Sequence, residues 1–310
     1  MAKSSLPQMP SKILLLSTGG TIAGLATNSG TSSIYTPAEL SADSLLATLP
    51  LSDYELSVKE IAQIDSVDMD FGIWSKLTKA IEEAKDVEGI VITHGTDSME
   101  ESVFFLSVVL KPKVPIVLVG AMRPSNAIGS DGSKNLCNAL ALATQAKAGA
   151  YVLNNDFVFD YSVRKSHTHN LNAFTSPSPM GYVLDGKYFA NYKPSVKPHL
   201  PMPQKLPKVE CIYTYAGIED FALSEGVQGV VLIGSGAGSI PSKLLGKLNE
   251  LESSGIPIVI STRVAEGRVV SERFIPSFSL TPPKARILLA LCIANGLNKE
   301  EMKRMFEVWG

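Results

Sequence analysis

The sequence predicts an α/β protein of two domains: a larger N-terminal doubly wound, mainly parallel sheet domain with a β-hairpin, and a smaller C-terminal α/β domain. Three observations carry this. Short apolar runs alternate with helical patterns, as a parallel sheet covered on both faces requires. A single proline-rich stretch interrupts that rhythm. The 310 residues, 45% hydrophobic and 19% charged, are enough to build two cores.

Taken in order, "KILLLS" from 12, "GIVITHG" from 89, "PIVLVGA" from 115 and "GAYVLNN" from 149 read as buried strands. Between the first two, Phe71, Trp74, Leu77, Ile81 and Ala84 recur at helical spacing, which predicts a helix over 68–85 with Asp68 as its cap. From 181, "GYVLDGKYFANY" alternates around Asp185-Gly186, the signature of a hairpin with a tight turn. The first domain is expected to span 1–192. Residues 193–208, "KPSVKPHLPMPQKLPK", carry five prolines that fit neither helix interiors nor central strands, and predict an extended linker. In the second domain, 209–310, strands are expected at "VECIYTY", "GVVLIGS" and "PIVIST", with helices near 240–253 and 284–294.

Several function classes are disfavoured. A formal net charge of -2, with no basic run interleaved with aromatics, does not suit nucleic acid. No apolar run reaches the roughly 20 residues of a membrane helix. The opening "MAKSSLPQMPSK" lacks a signal peptide's apolar centre, so a cytoplasmic chain is expected, or a periplasmic one if a leader was removed. Cys137, Cys211 and Cys292 are odd in number and widely spaced, which suggests neither a disulfide framework nor a zinc site. His94, His167 and His169 lack the companion ligands and spacing of a metal centre.

Two stretches carry chemistry. "STGGTIAG", residues 17–24, turns sharply at the carboxyl end of the first strand, where ligands gather in such sheets. It has neither the lysine of a P-loop nor a Gly-x-Gly-x-x-Gly run, so phosphate is disfavoured. Read alone, it is either a glycine-rich turn or a turn that presents Thr21. "ITHGTDSMEE", residues 92–101, ends another strand with Thr96 and Asp97, and Asp97 is either a helix cap or a site carboxylate. A hydroxyl nucleophile needs a base held at a workable pKa, and Lys165 in "YSVRKSHTH" is either that base or part of a solvated turn.

"LLLSTGGTIAG" with "GIVITHGTDSMEE" resembles the two signature motifs of the bacterial-type L-asparaginases, a family of two-domain α/β amidohydrolases. "GAMRPSNAIGSDGSKNLCNAL", "LPKVECIYTYAG", "GSGAGS" and "KARILLALC" look like further family segments, so the likeness covers about 300 residues. The resemblance implies that Thr21 is the nucleophile and that Tyr35 sits on the mobile loop "TNSGTSSIYT" that closes over substrate. It makes Thr96, Asp97 and Lys165 a relay, with Ser66 holding the substrate α-carboxylate and Asp97 also the α-ammonium. The backbone of Ala121 would touch the side-chain amide.

The implied reaction is cofactor-independent hydrolysis of L-asparagine to L-aspartate and ammonia through an acyl-enzyme. A dual glutaminase-asparaginase, or a protein that binds an amino acid without turning it over, is the alternative. The chain departs from the family pattern at three residues and in the length of one segment. Val67 stands where many members have Gln or Glu, Ser98 replaces the usual Thr, and Ser239 stands where several relatives have Asn. "TRVAEGRVVSERFIPSFSL" is shorter than usual, so the family's intersubunit glutamate maps to Glu272, with Glu266 as the fallback. The resemblance also implies a homotetramer with sites shared between subunits.

Overall fold

The computed structural model describes residues 9–30, 34–47 and 49–310. Residues 1–8 of the opening segment and 31–33 of the expected mobile loop lie outside the described residues. The chain divides into two compact units, the first running to Ser107 and over Lys111–Ser195, the second comprising Val108–Leu110 and Val196–Gly310.

The first unit opens with β1 (Ser11–Gly19), a short pair β2 (Leu25–Ala26) and β3 (Tyr35–Thr36), and α1 (Ala42–Leu46). It continues through β4 (Tyr54–Ile64), α2 (Phe71–Glu83), β5 (Gly89–Thr93), α3 (Met99–Val109), β6 (Pro115–Val119), α4 (Gly132–Gln145) and β7 (Gly149–Asn154). β8 (Phe157–Phe159), the pair β9 (Arg164–Lys165) and β10 (Phe174–Thr175), and the hairpin β11 (Gly181–Leu184) and β12 (Lys187–Ala190) complete it. Eight strands form one sheet in the order β12-β11-β8-β7-β6-β5-β1-β4. β4, β1, β5, β6 and β7 run parallel, and β8, β11 and β12 add an antiparallel edge.

This order places the site. The chain leaves β1 for β4 on one side and then returns to β5 on the other, so the strand order reverses at β1. Such a reversal opens a crevice at the carboxyl ends of the flanking strands. The core explains why the strands read so clearly in the sequence. Ile13, Leu15, Val91, Val117, Val119 and Leu153 pack against Leu136, Leu140 and Ala143 of α4, while Leu16, Ile90, Ile92, Ile116, Leu118 and Val152 alternate with them and are also buried. Each such side chain contributes about 1.5–3 kcal/mol on burial. α2 joins α3 through Trp74, stacked on Phe105 at 4.6 Å.

One local outcome differs from expectation and one matches it. Asp68 does not cap α2: it closes a 3-10 turn, Ser66–Asp68, and Asp70 is the cap, its carboxylate accepting from Ile73 N–H at 2.8 Å. An aspartate lies at either end of the short segment before the helix, and only the one with its side chain two or three residues from a free N–H can cap. The hairpin turns at Asp185 (φ 48°) and Gly186 (φ 73°), the two positive φ values of a two-residue hairpin loop.

The second unit holds a four-stranded parallel sheet, β13 (Lys208–Tyr213), β14 (Val227–Gly234), β15 (Ile258–Thr262) and β16 (Ile275–Pro276), paired in that order. Its helices are α5 (Leu245–Ser253), α6 (Pro282–Ala294) and α7 (Lys299–Trp309). α7 starts with a capping box in which Asn298 and Glu301 satisfy each other's backbone N–H groups.

Candidate active site

The site begins with a contact between backbones. β1 and β5 are parallel neighbours, with Ser17 opposite Thr93, and Thr18 Oγ1 donates to Thr93 O at 2.8 Å. Just beyond, Gly20 turns at φ 81°, and a Cβ there would lie 2.3 Å from the backbone N of Gly95. Gly95 in turn is pressed on Ser66, whose Oγ would be 2.5 Å from an added Cβ. Three distant segments therefore meet with no room for side chains between them, and the glycines of both stretches are there to allow it.

That contact sets out the polar groups. Thr21 opens a 3-10 turn, Thr21–Ala23, and is buried; its Oγ1 lies 2.7 Å from the Tyr35 hydroxyl, and either can donate. Burial pushes the Tyr35 phenol above its ordinary pKa, the bond to Thr21 opposes this, and the charges of Asp65 and Asp97 reinforce it. The phenol is accordingly protonated at neutral pH. Its hairpin is tied down by Asn126, which accepts from Ala26 N–H at 2.7 Å and donates to Ala26 O at 2.9 Å.

Thr96 and Asp97 follow β5. Lys165, on β9, brings its Nζ to within 2.8 Å of Thr96 Oγ1 and 2.5 Å of Asp97 Oδ1. The Lys165 side chain is only 17% exposed, so it is no solvated turn, whereas that of Asp97 is 54% exposed and faces outward. The Lys165 backbone N–H donates to Glu100 Oε1 at 3.3 Å, which seats the lysine on the first turn of α3. Ser66 is buried and belongs to the same cluster: its Oγ accepts from Asp97 N–H at 3.3 Å, and Ser98 donates to its carbonyl at 2.6 Å. The Ser66 Oγ acts as an acceptor in that bond, so its own O–H proton is not used in it. Val67, beside it, is 66% exposed. Ala121 is fully buried just after β6.

The histidines play other parts. His94 is buried, its Nδ1 at 2.6 Å from Gly95 O and its Nε2 at 2.8 Å from Ser102 Oγ. A carbonyl can only accept, so Nδ1 carries the proton and Ser102 donates to Nε2. Trp74 Nε1 donates to the same Ser102 Oγ at 2.8 Å. Burial lowers the His94 pKa to about 4, against the opposing bond to Gly95. His167 accepts at Nδ1 from the backbone N–H groups of His169 and Asn170, which shapes a loop. Among the described residues, no cluster of His, Cys, Asp and Glu is grouped as a metal site.

Ser239, Glu266 and Glu272 lie in the second unit. Ser239 closes a tight turn through its backbone N–H to Ser235 O at 2.8 Å, and both glutamates are exposed. Sequence reasoning passed over Asp131 and Asn135, which hold the loop after β6. Asp131 stands at the head of α4 and looks like an ordinary cap, the only signal it offers.

Residues 12–196 match the asparaginase N-terminal domain family and 208–306 the glutaminase/asparaginase C-terminal domain family. The probable periplasmic L-asparaginase of Haemophilus influenzae is 34% identical over 95% of this chain and 92% of its own length. The glutaminase-asparaginase of Pseudomonas aeruginosa is 33% identical over 98% and 92%. A crystal structure of the probable cytoplasmic L-asparaginase from Campylobacter jejuni superposes with a TM-score of 0.89 at 36% identity, covering 96% of this chain and 99% of that one. With both domain families matched along its length and full-length relatives above 30% identity, the chain belongs to the asparaginase family of amidohydrolases.

Proposed function

We propose that the protein is an L-asparaginase that hydrolyses the side-chain amide of L-asparagine to L-aspartate and ammonia, with no cofactor. One observation carries the mechanism: the carboxyl ends of neighbouring strands present two buried hydroxyls, Thr21 with a phenol and Thr96 with an ammonium and a carboxylate. Thr21 Oγ1 attacks the amide carbon, its proton leaves through the adjoining hydrogen bonds, and backbone N–H groups stabilise the oxyanion. Collapse breaks the C–N bond, and the departing nitrogen takes a proton to leave as ammonia. Water then cleaves the acyl-enzyme, helped by the Thr96, Asp97 and Lys165 relay, and returns a proton to Thr21. Ser66 grips the α-carboxylate and Asp97 the α-ammonium, with the Ala121 backbone against the amide.

The decisive experiment is ammonia release from L-asparagine by the purified chain. Thr21→Ala and Thr96→Val should abolish it while leaving the fold intact, and near-full activity in either would refute the assigned role. A protein that holds an amino acid without turning it over is the second reading, motivated by exposed Val67, which has no hydrogen-bonding group to offer a substrate ammonium; tight asparagine binding with no ammonia release would favour it. Parallel assays on L-asparagine, L-glutamine and D-asparagine test for a dual glutaminase-asparaginase.

The finer organisation follows the same reading. A catalytic domain over 1–192 and a second over 209–310 are joined by the linker 193–208, and four copies assemble into a homotetramer. Ser239 is a substrate-binding residue, and Glu272, or Glu266 in its place, completes a neighbouring copy's site. Light scattering should give four times the monomer mass, and Glu272→Gln should raise KM. A cytoplasmic location is proposed, testable by cell fractionation.

A further inference from the structure

The loop after β6 is held in an unusual way. Asp131 stands at the N-cap position of α4 but makes no side-chain cap to its helix. Its carboxylate, almost fully buried, instead accepts from Met122 N–H at 3.1 Å (Oδ1) and 3.0 Å (Oδ2) and from Arg123 N–H at 3.0 Å. Asn135, one turn along α4 and fully buried, donates from Nδ2 to Asp131 Oδ2 at 2.9 Å and to Gly120 O at 2.9 Å. A helix has thus given up a side-chain cap to grip a loop.

The grip falls on both peptide planes that flank Ala121. In a trans peptide the C=O and N–H point in opposite directions. Gly120 C=O points to Asn135, so the N–H of Ala121 in that plane points away from it. Met122 N–H points to Asp131, so the Ala121 C=O points away from Asp131. Both polar groups of Ala121 are turned to the side opposite the clamp. The loop also abuts the second strand end, since a Cβ on Gly120 would meet His94 O at 2.5 Å and Thr96 Cγ2 at 3.1 Å.

We infer that Asp131, supported by Asn135, is a positioning residue that aims the Ala121 carbonyl at the N–H of the departing amide. This rests on the proposed amidase reading. An amide –NH2 presents donors that a main-chain carbonyl can accept, whereas the methoxy group of an ester presents none. The clamp should therefore matter for amides and not for esters.

The test compares kcat/KM for L-asparagine with that for L-aspartate β-methyl ester, in wild type and Asp131→Asn. A side-chain amide would set an NH2 against one of the two backbone N–H groups and release the loop. The amide-to-ester ratio should fall by about 10- to 100-fold, the scale of a misplacement of about an ångström. Both substrates are read on one preparation, so partial loss of folded enzyme cancels in the ratio. If Asp131→Asn does not fold, Asn135→Leu, which frees Gly120 O and takes one donor from Asp131 Oδ2 but leaves the bonds to Met122 and Arg123 N–H, should lower the same ratio by about 3- to 10-fold. An unchanged ratio, whether both rates fall together or neither falls, would overturn the inference while leaving the amidase reading standing. A wild-type chain that released no ammonia would overturn both.

Discussion

Thr21 and Thr96 end adjacent parallel strands and are almost equally buried, at 6% and 5% exposure, yet they sit in opposite chemical company. Thr96 is bonded to the Nζ of Lys165, which also meets Asp97, so an ion pair can take up or supply a proton beside it. Its turn is braced from behind by the buried chain of His94, Ser102 and Trp74. Thr21 is bonded to a neutral phenol carried on a two-residue strand, and its turn is held by backbone bonds, Gly20 N–H to Ile64 O at 2.9 Å and Ala38 N–H to Gly20 O at 3.2 Å. One hydroxyl sits against an ion pair. The other is bonded to an uncharged phenol carried on a short strand pair.

The contrast can be broken most severely at the charged cluster. Thr96→Val and Lys165→Met should each lower kcat by at least about 1,000-fold, and the double variant no further, because groups acting as a unit are not additive. Steady-state ammonia assays on the three proteins decide it, and losses that multiply would separate the two residues. Next in size is the contact that both clusters share. Gly20→Ala puts a methyl 2.3 Å from the Gly95 nitrogen at a positive φ and should cost about 3 kcal/mol or more in urea unfolding.

Tyr35→Phe should lower kcat by about 100-fold with the melting temperature little changed, since it removes one partly exposed hydroxyl. A large stability loss would make Tyr35 structural instead. The smallest effect concerns His94. Its folded pKa of about 4 lies below the ordinary 6.5, so between those values the unfolded chain binds a proton that the folded chain does not. Stability is therefore full above pH 6.5 and is lost as the pH falls toward 4, by about 2 kcal/mol at pH 5. Urea midpoints at pH 5 and 7.5 should differ accordingly in wild type and converge in His94→Gln.

Much of this was visible in the residues for identifiable reasons. β1, β5, β6 and β7 are buried on both faces, so their sequences are uninterrupted apolar runs, and the hairpin declared itself through Asp185-Gly186. β4 escaped notice because it lies at the sheet's edge and mixes polar with half-buried positions over "YELSVKEIAQI". The helix α7 also went unread, although Asn298 and Glu301 spell a capping box. In the site, the threonines stood out by their glycine-rich surroundings, but Lys165 reaches Thr96 across 69 residues of chain. No local pattern encodes such a meeting: the residues offered Lys165 only as a base or a solvated turn, and family resemblance chose between them. Asp131 was hidden for a different reason: a carboxylate at a helix start has an ordinary explanation, and here it serves the preceding loop instead.

The touching glycines have a consequence for how this enzyme can change. Because Gly20 meets Gly95 through main-chain atoms alone, no choice of side chain at either position can loosen or retune the spacing between the two strand ends. New substrate preferences must be written around a fixed gauge, at exposed Val67, on the hairpin that carries Tyr35, or in the loop gripped by Asp131. A mutant library that leaves codons 20 and 95 untouched and spreads its diversity over those three places would spend its members on altered selectivity rather than on collapsed folds.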